Sequence, residues 1–384
     1  MSVGKKTLRV LHLASFAGNI GDVANHAGTR RMLTEHISFA LEFTDLEIRE
    51  FYWRQRSFDD AFVDYANGFD LLMVGGGNYF ELWVDHSATG TSIDITPERL
   101  ARLKVPTLFF ALGVDTGQGY SAQSAQRFAD FMSTVLGRRD MFVCVRNDGS
   151  SRALREVLGE EAAARIRVIP DGGFFADPAG CRPVHGDSGH IGINIAGDML
   201  ERRFDRALSV EGFLRELGDV CRELMDARPE LRIDLIPHIW RDSALIAQLL
   251  PMIPDPYLRR RVAVGRLEPG EAGLAGFLQT YRGFDLVLGM RFHASVCPIG
   301  MGVPARGLLN YPQVERLYEE IDMQDRLVDV REAGYGKSLV DAVLSDLADL
   351  PAQRSVCADR VVRLQRRAQA TLAALDGWMR LNLD

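Results

Sequence analysis

The sequence predicts an α/β protein of two Rossmann-like domains, and three observations carry that reading. Short apolar runs alternate with longer segments of helical period along the whole chain, the pattern of parallel strands joined by crossover helices. The alternation stops once, in a turn-forming stretch between Phe175 and Gly189 that contains Asp177-Pro178-Ala179-Gly180, and then resumes. With 384 residues, the chain is long enough for two domains that each bury a core. The expected division is residues 1–180, residues 190–350 and a terminal helix over 351–384.

In the first half, a strand is expected at Leu8 to Leu13, then a polar loop from Ser15 to Asp22. A helix follows from about Val23 to Leu41, with Asp22 as its cap. Further strands are expected at Leu46 to Tyr52, Leu71 to Val74, Thr107 to Ala111, Phe142 to Val145 and Arg167 to Ile169. The second half repeats the pattern with strands at Ile191 to Ile195, Ile233 to Ile236, Val262 to Val264, Leu286 to Leu288 and Ala305 to Leu309. At the end, Val361, Leu364, Ala368, Leu372, Leu375 and Met379 recur at spacings of three and four, one apolar stripe on a long helix. That helix is expected to pack across the domains; a coiled-coil dimer seam is the competing reading.

Composition narrows the function classes. A hydrophobic share of 47% with 25% charged residues excludes disordered and fibrous proteins. The net charge of −7 offers no electrostatic footprint for nucleic acid. No uncharged apolar run approaches the ~18 residues that span a bilayer. Lys5, Lys6 and Arg9 before Val10 to Ala17 resemble a secretory leader, but His12 interrupts the segment and a buried first strand is preferred. Cys144, Cys181, Cys221, Cys297 and Cys357 are scattered and never spaced C-x-x-C, so neither a disulfide framework nor a zinc site is indicated, and a reducing cytoplasm is the expected location. With no D-x-D or H-E-x-x-H, no metal is expected.

Chemistry is concentrated where strands end. Asn19-Ile20-Gly21-Asp22 sits between a strand and a helix, where free N–H groups can receive an anion and Asn19 and Asp22 can orient hydroxyls; the alternative is a plain capping turn. Gly75-Gly76-Gly77-Asn78 follows a strand, and a glycine run at that edge lets a ligand approach the backbone. Gly117-Gln118-Gly119-Tyr120-Ser121-Ala122 matches the dinucleotide fingerprint in form, but a polar gap separates it from its strand and it is discounted. Arg146, ahead of Asn147-Asp148-Gly149-Ser150, aims a planar guanidinium suited to phosphate or carboxylate, unless it is a surface arginine.

In the second half, His238 ends a strand and Asp242 begins the next helix; ligand contact and a structural role for His238 stand level. The sharpest signal is Leu288-Gly289-Met290-Arg291-Phe292-His293-Ala294, which delivers a cation, an aromatic ring and an imidazole at the mouth of a helix. A histidine there can exchange protons near neutral pH beside a dipole-held anion. The alternative is a capping histidine with a buried, salt-bridged arginine.

Asn19 to Asp22, Gly75 to Gly77, Arg146 with Ser150, Asp171, His238 and Arg291-Phe292-His293-Ala294 occur in an order that resembles the polysaccharide pyruvyl transferase family, from roughly Leu8 to Leu327. The resemblance implies two Rossmann-like domains in a GT-B-like arrangement. It also implies transfer of a pyruvyl group from phosphoenolpyruvate to a sugar as a ketal, with the site between the domains and no cofactor beyond that donor substrate. By resemblance, His293 is the acid/base, Arg146 the arginine at the donor and Arg291 the anion holder. Phe292, Tyr311, Asn78 and Ser150 join the substrate-binding set. The chain departs from the family's Tyr-Asp-x-Lys, showing Tyr311-Pro312-Gln313-Val314, and has Asn147 where an acidic residue is common after the arginine. The partners implied are a small-molecule donor and a carbohydrate-bearing acceptor, not nucleic acid. The alternatives are a GT-B-like nucleotide-sugar glycosyltransferase and a catalytically altered or inactive member that binds a glycan or phosphate ligand.

Overall fold

The structure, a computed structural model, describes residues 5–177, 189–204 and 208–384. The expected boundary segment lies largely outside the described residues, and so does Cys181. Internal packing divides the chain into two units. The first comprises Met1–Ala17, Asn25–Gly172 and Leu364–Asp384; the second comprises Gly18–Ala24 and Gly173–Arg363.

The first unit is built on β1 (Thr7–Ala14), β2 (Ala40–Glu47), β3 (Leu71–Gly75), a short β4 (Phe80–Glu81), β5 (Thr107–Leu112), a short β6 (Val114–Asp115), β7 (Met141–Arg146) and β8 (Arg167–Ile169). Six of them form a sheet in the order β2-β1-β3-β5-β7-β8, and β4 pairs with β6. All these pairings are parallel. β3 and β5 are buried at every position, the unbroken apolar reading of strands covered on both faces. Phe80 is fully buried and packs edge-on against Phe128, with Phe109 and Phe131 around it.

The second unit carries β9 (His190–Asn194), β10 (Arg232–Leu235), β11 (Val262–Val264), β12 (Leu286–Gly289), β13 (Ala305–Leu309) and β14 (Leu327–Asp329). They form a parallel sheet in the order β11-β10-β9-β12-β13-β14. That order is the doubly wound Rossmann one. It reverses between β9 and β12, and a ligand is expected beyond the strand carboxyl ends at such a point.

The helix Leu350–Leu383 buries the whole stripe read from the sequence: Val361, Leu364, Ala368, Leu372, Leu375 and Met379 are each at most 4% exposed. The stripe is thus used within the chain. Residues of this helix up to Arg363 group with the second unit and those from Leu364 onward with the first.

Two expectations fail around residues 36–52. The first helix runs Ile20–His36, not to Leu41, and its capping side chain is Asn19, whose Oδ1 accepts the Gly21 N–H at 3.0 Å, while Asp22 sits in the first turn. The next strand starts at Ala40 because Leu41 and Phe43 alternate with exposed Glu42 and Thr44, the period of an edge strand, which the helical spacing before it obscured. The expected strand Leu46 to Tyr52 is cut at Glu47. The Glu47 carboxylate captures the N–H groups of Phe16, Ala17 and Arg49, each at 2.8 Å, and a helical turn Arg49–Tyr52 follows with Tyr52 exposed.

Candidate functional site

The carboxyl edge of the second sheet collects a buried polar cluster at its reversal point. Asn194 closes β9 and bridges to both neighbours: its Oδ1 accepts the Arg291 N–H beyond β12 at 3.0 Å, and its Nδ2 donates to Ile236 O beyond β10 at 2.8 Å. The fully buried Asp242 organises the rest. Its carboxylate accepts the N–H groups of Gly197, His238 and Ile239 at 2.9, 2.9 and 3.2 Å and the Arg291 Nε at 2.7 Å, with a second bond from Arg291 Nη2. This fork-on-carboxylate pairing fixes the arginine plane.

Arg291 also reaches Asp198 at 3.0 Å. The two carboxylates hold its guanidinium charged despite burial, raising its pKa. Asp198 serves a second arginine as well: Arg203, 7% exposed, lies 3.4 Å from it, donates to Asn310 Oδ1 at 3.1 Å and sits over the Tyr311 ring at 5.3 Å. Pro312 is explained locally, since it occupies the first turn of the helix Pro312–Glu320 with Tyr311 as its N-cap.

His293 is the first residue of the helix His293–Gly300 and is 5% exposed, with the Phe292 ring packed edge-on at 5.2 Å. Its Nδ1 is 3.8 Å from Asp22 Oδ1, and the same oxygen accepts from Asn19 Nδ2 at 3.3 Å. Gly21 makes this possible: a Cβ there would stand 2.5 Å from the His293 Cβ. His238 completes the group, with its carbonyl accepting the Ile20 N–H at 3.3 Å and its ring fully buried. Burial, and then the Arg291 and His293 charges, push its pKa well below the ordinary imidazole value, so it is neutral. The sequence-selected Asn19, Gly21, Asp22, His238, Arg291, Phe292, His293 and Tyr311 therefore belong to one unit, with Asp22, His293, His238 and Arg291 in one neighbourhood.

The remaining selected residues lie at the carboxyl edge of the first sheet. Arg146 is the last residue of β7 rather than the residue after it, and it is buried, with Nε 2.6 Å from Asp148 and Nη1 3.6 Å from Asp171. It is a buried, ion-paired arginine and not a surface one. The register of β5 against β7 shifts between Phe109 and Leu112, where Ala111 takes a φ of 50°, and this bulge leads to Gly113, on which the Arg146 guanidinium packs. Ser150 donates to Asp148 and accepts the Val114 N–H at 2.8 Å.

The glycine run is filled by the protein itself. A Cβ at Gly75 would lie 2.0 Å from Phe110 O, one at Gly76 2.6 Å from His26 Nδ1, and one at Gly77 2.3 Å from the Tyr79 ring. These glycines admit the chain's own packing, and Asn78 donates to Asp115 at 3.1 Å.

Sequence reasoning missed Asn194, Asp198, Arg203 and Asn310 and saw Asp242 only as a helix start. A usable signal existed for Asn194, a polar residue closing the apolar strand Ile191-Gly192-Ile193. Among the described residues no three His, Cys, Asp or Glu side chains gather as metal ligands, and no described helix is long and apolar enough to cross a membrane.

Solved structures share this architecture at low identity. A glycosyltransferase from Rickettsia africae superposes with a TM-score of 0.58 at 11% identity, over 98% of this chain and 99% of its own. The UDP-GlcNAc 2-epimerase from Neisseria meningitidis, solved with UDP-GlcNAc, gives 0.55 at 13% identity over 96% and 99%. A UDP-N-acetylglucosamine 2-epimerase described from Listeria monocytogenes gives 0.55 at 15% over 92% and 91%. These likenesses establish a GT-B-like fold. No curated protein matches by sequence. The family model for polysaccharide pyruvyl transferases matches residues 19–311, a span that opens at Asn19 and closes at Tyr311 and so contains the whole cluster around Arg291 and His293. The chain belongs to the polysaccharide pyruvyl transferase family.

Proposed function

We propose that the protein moves a pyruvyl group from phosphoenolpyruvate onto a pair of hydroxyls of a sugar in a polysaccharide or glycoconjugate precursor, without a metal and in the cytoplasm. The observation that carries this reading is the Asp22–His293 pair beside Arg291, inside a matched family span. In the net reaction the donor methylene gains a proton and becomes a methyl group. Two sugar oxygens bond to the former enol carbon, the carbon–oxygen bond to phosphate breaks, and inorganic phosphate leaves with the balance of the hydroxyl protons. His293 is suited to move those protons, and by the family resemblance Arg291 faces the donor's anionic groups, with its guanidinium plane set by Asp242 and Asp198.

The test incubates the protein with phosphoenolpyruvate and a panel of glycans bearing free 4,6-diols, with a chelator present, and follows phosphate release and a ketal methyl signal. Both are expected. Restoration of activity by one divalent ion after chelation would overturn metal independence. The second reading, a nucleotide-sugar glycosyltransferase, draws on the GT-B-like neighbours, one of them solved with UDP-GlcNAc. It predicts a thermal shift with nucleotide sugars and none with phosphoenolpyruvate. Binding of a glycan or phosphate ligand without turnover on any acceptor would favour an altered or inactive member, a reading in keeping with the ion-paired state of Arg146 and Arg291.

A further inference from the structure

The His238 ring has one hydrogen bond through Nε2, to the Tyr281 hydroxyl at 2.7 Å. Both side chains are fully buried. Tyr281 comes from the helix Glu271–Arg282 and lies edge-on to the imidazole at 5.8 Å, with Phe277 on the same ring at 5.1 Å. The His238 backbone is pinned at both ends, by Asp242 on its N–H and by Ile20 on its carbonyl. Among the described residues, Nδ1 has no hydrogen-bond partner.

This geometry leaves two proton arrangements for a neutral imidazole. If Nε2 carried the hydrogen and donated to Tyr281, the phenol's own hydrogen and the Nδ1 lone pair would both be left buried and unmatched. If Tyr281 donates to Nε2, the phenol is satisfied and only an Nδ1–H remains. The second arrangement strands fewer buried polar groups. Burial keeps Tyr281 protonated, its pKa raised well above the usual phenol value, so its hydrogen is always there to donate.

We infer that Tyr281 is a positioning residue that fixes His238 in its Nδ1–H form, making His238 a hydrogen-bond donor to an anionic oxygen and not the base of this site. The tautomer follows from the geometry alone. That the acceptor is a phosphate or carboxylate oxygen of the donor substrate rests on the pyruvyl-transfer reading, and the neighbouring Arg291 and His293 suit such an anion. The division of labour is then definite: proton movement falls to His293 with Asp22, and His238 only donates a hydrogen bond.

The test is nitrogen-15 NMR of the protein labelled at histidine, with the His238 signals assigned by their loss in His238→Gln. Wild type is expected to show a protonated, pyrrole-type Nδ1 and a pyridine-type Nε2. Tyr281→Phe, which keeps the ring and deletes the hydroxyl, is expected to abolish that preference. An Nε2–H form in wild type, or an unchanged Nδ1–H form in Tyr281→Phe, would overturn the assignment.

Phosphoenolpyruvate and inorganic phosphate are then added separately, with melting temperature read in parallel. Movement of the Nδ1 resonance with phosphoenolpyruvate supports the donor role. A higher melting temperature without that movement would overturn the donor role and leave the pyruvyl-transfer reading standing. Movement with inorganic phosphate, and neither movement nor stabilisation with phosphoenolpyruvate, would keep the donor role and remove that reading. No movement with either anion overturns the donor role.

Discussion

The Asp22 carboxylate stands 3.8 Å from the His293 imidazole, oxygen to Nδ1, and is held there by the Asn19 amide. A carboxylate against one ring nitrogen orients an imidazole for proton transfer at the other. His293→Ala should lower kcat by roughly 10²- to 10⁴-fold while leaving donor affinity nearly unchanged, and because the imidazole is buried its removal should also lower the melting temperature. Asp22→Asn should lower kcat while acceptor KM stays near its wild-type value, because its part is played through His293. Steady-state kinetics separate the two roles: a raised acceptor KM with normal kcat would make Asp22 an acceptor ligand instead.

Gly21 is set against His293 so closely that any side chain must displace the imidazole. Gly21→Ala should cost about 1–3 kcal/mol as an overpacking change, and its loss of kcat should exceed what that destabilisation explains. Denaturant unfolding and kcat measured on the same preparation check this; full activity with wild-type stability would show that the loop yields without moving His293.

Removing the Asp242 carboxylate leaves three buried backbone N–H groups without their acceptor and takes from Arg291 the closer of its two carboxylate partners. Asp242→Ala should therefore destabilise by about 3–5 kcal/mol, the usual consequence of deleting one partner of a buried ion pair. A change below 1 kcal/mol in denaturant unfolding would contradict the organising role given to this residue.

Most strand positions were legible because a buried parallel strand writes itself as an unbroken apolar run, as in Thr107–Leu112, and Arg291 and His293 were legible as polar residues that follow such a run. The segment 36–52 was misread because an edge strand is half exposed and its alternation merges with the helix before it. Arg146 was legible as a cation at a strand end. Its burial was not, since Asp148 is two residues away but Asp171 arrives from beyond β8. For the glycine run, sequence shows a stretch without Cβ atoms but not what lies against it, and the atoms a Cβ would meet are those of Phe110, His26 and Tyr79.

Glu81 in the first unit supplies a pH dependence. Burial, partly offset by the Ser92 hydroxyl bond, raises its pKa to about 7 from 4.5. A carboxyl group raised in the folded state stabilises fully below its unfolded pKa, and that contribution is lost as pH rises from about 4.5 through 7. The wild type should thus lose up to about 3 kcal/mol relative to Glu81→Gln across that window. Parallel denaturant curves for the two proteins at acid and alkaline pH would remove the assignment if their difference stayed constant.

Arg146 separates a donor-binding arginine from a structural one. Its guanidinium is 4% exposed and lies against Asp148 and Asp171, themselves 2% and 0% exposed, so deleting it leaves two buried carboxylates without this cation. Arg146→Ala alone should cost about 3–5 kcal/mol, and any loss of phosphoenolpyruvate binding in it would be confounded by that instability. Adding Asp148→Asn and Asp171→Asn removes the uncompensated charge and should recover most of the stability. The triple variant is therefore the informative protein. If Arg146 contacts the donor, phosphoenolpyruvate no longer raises its melting temperature although the fold is restored. If the arginine only balances the two aspartates, the ligand-induced shift returns to its wild-type size, and donor recognition falls to Arg291 and its neighbours in the second unit.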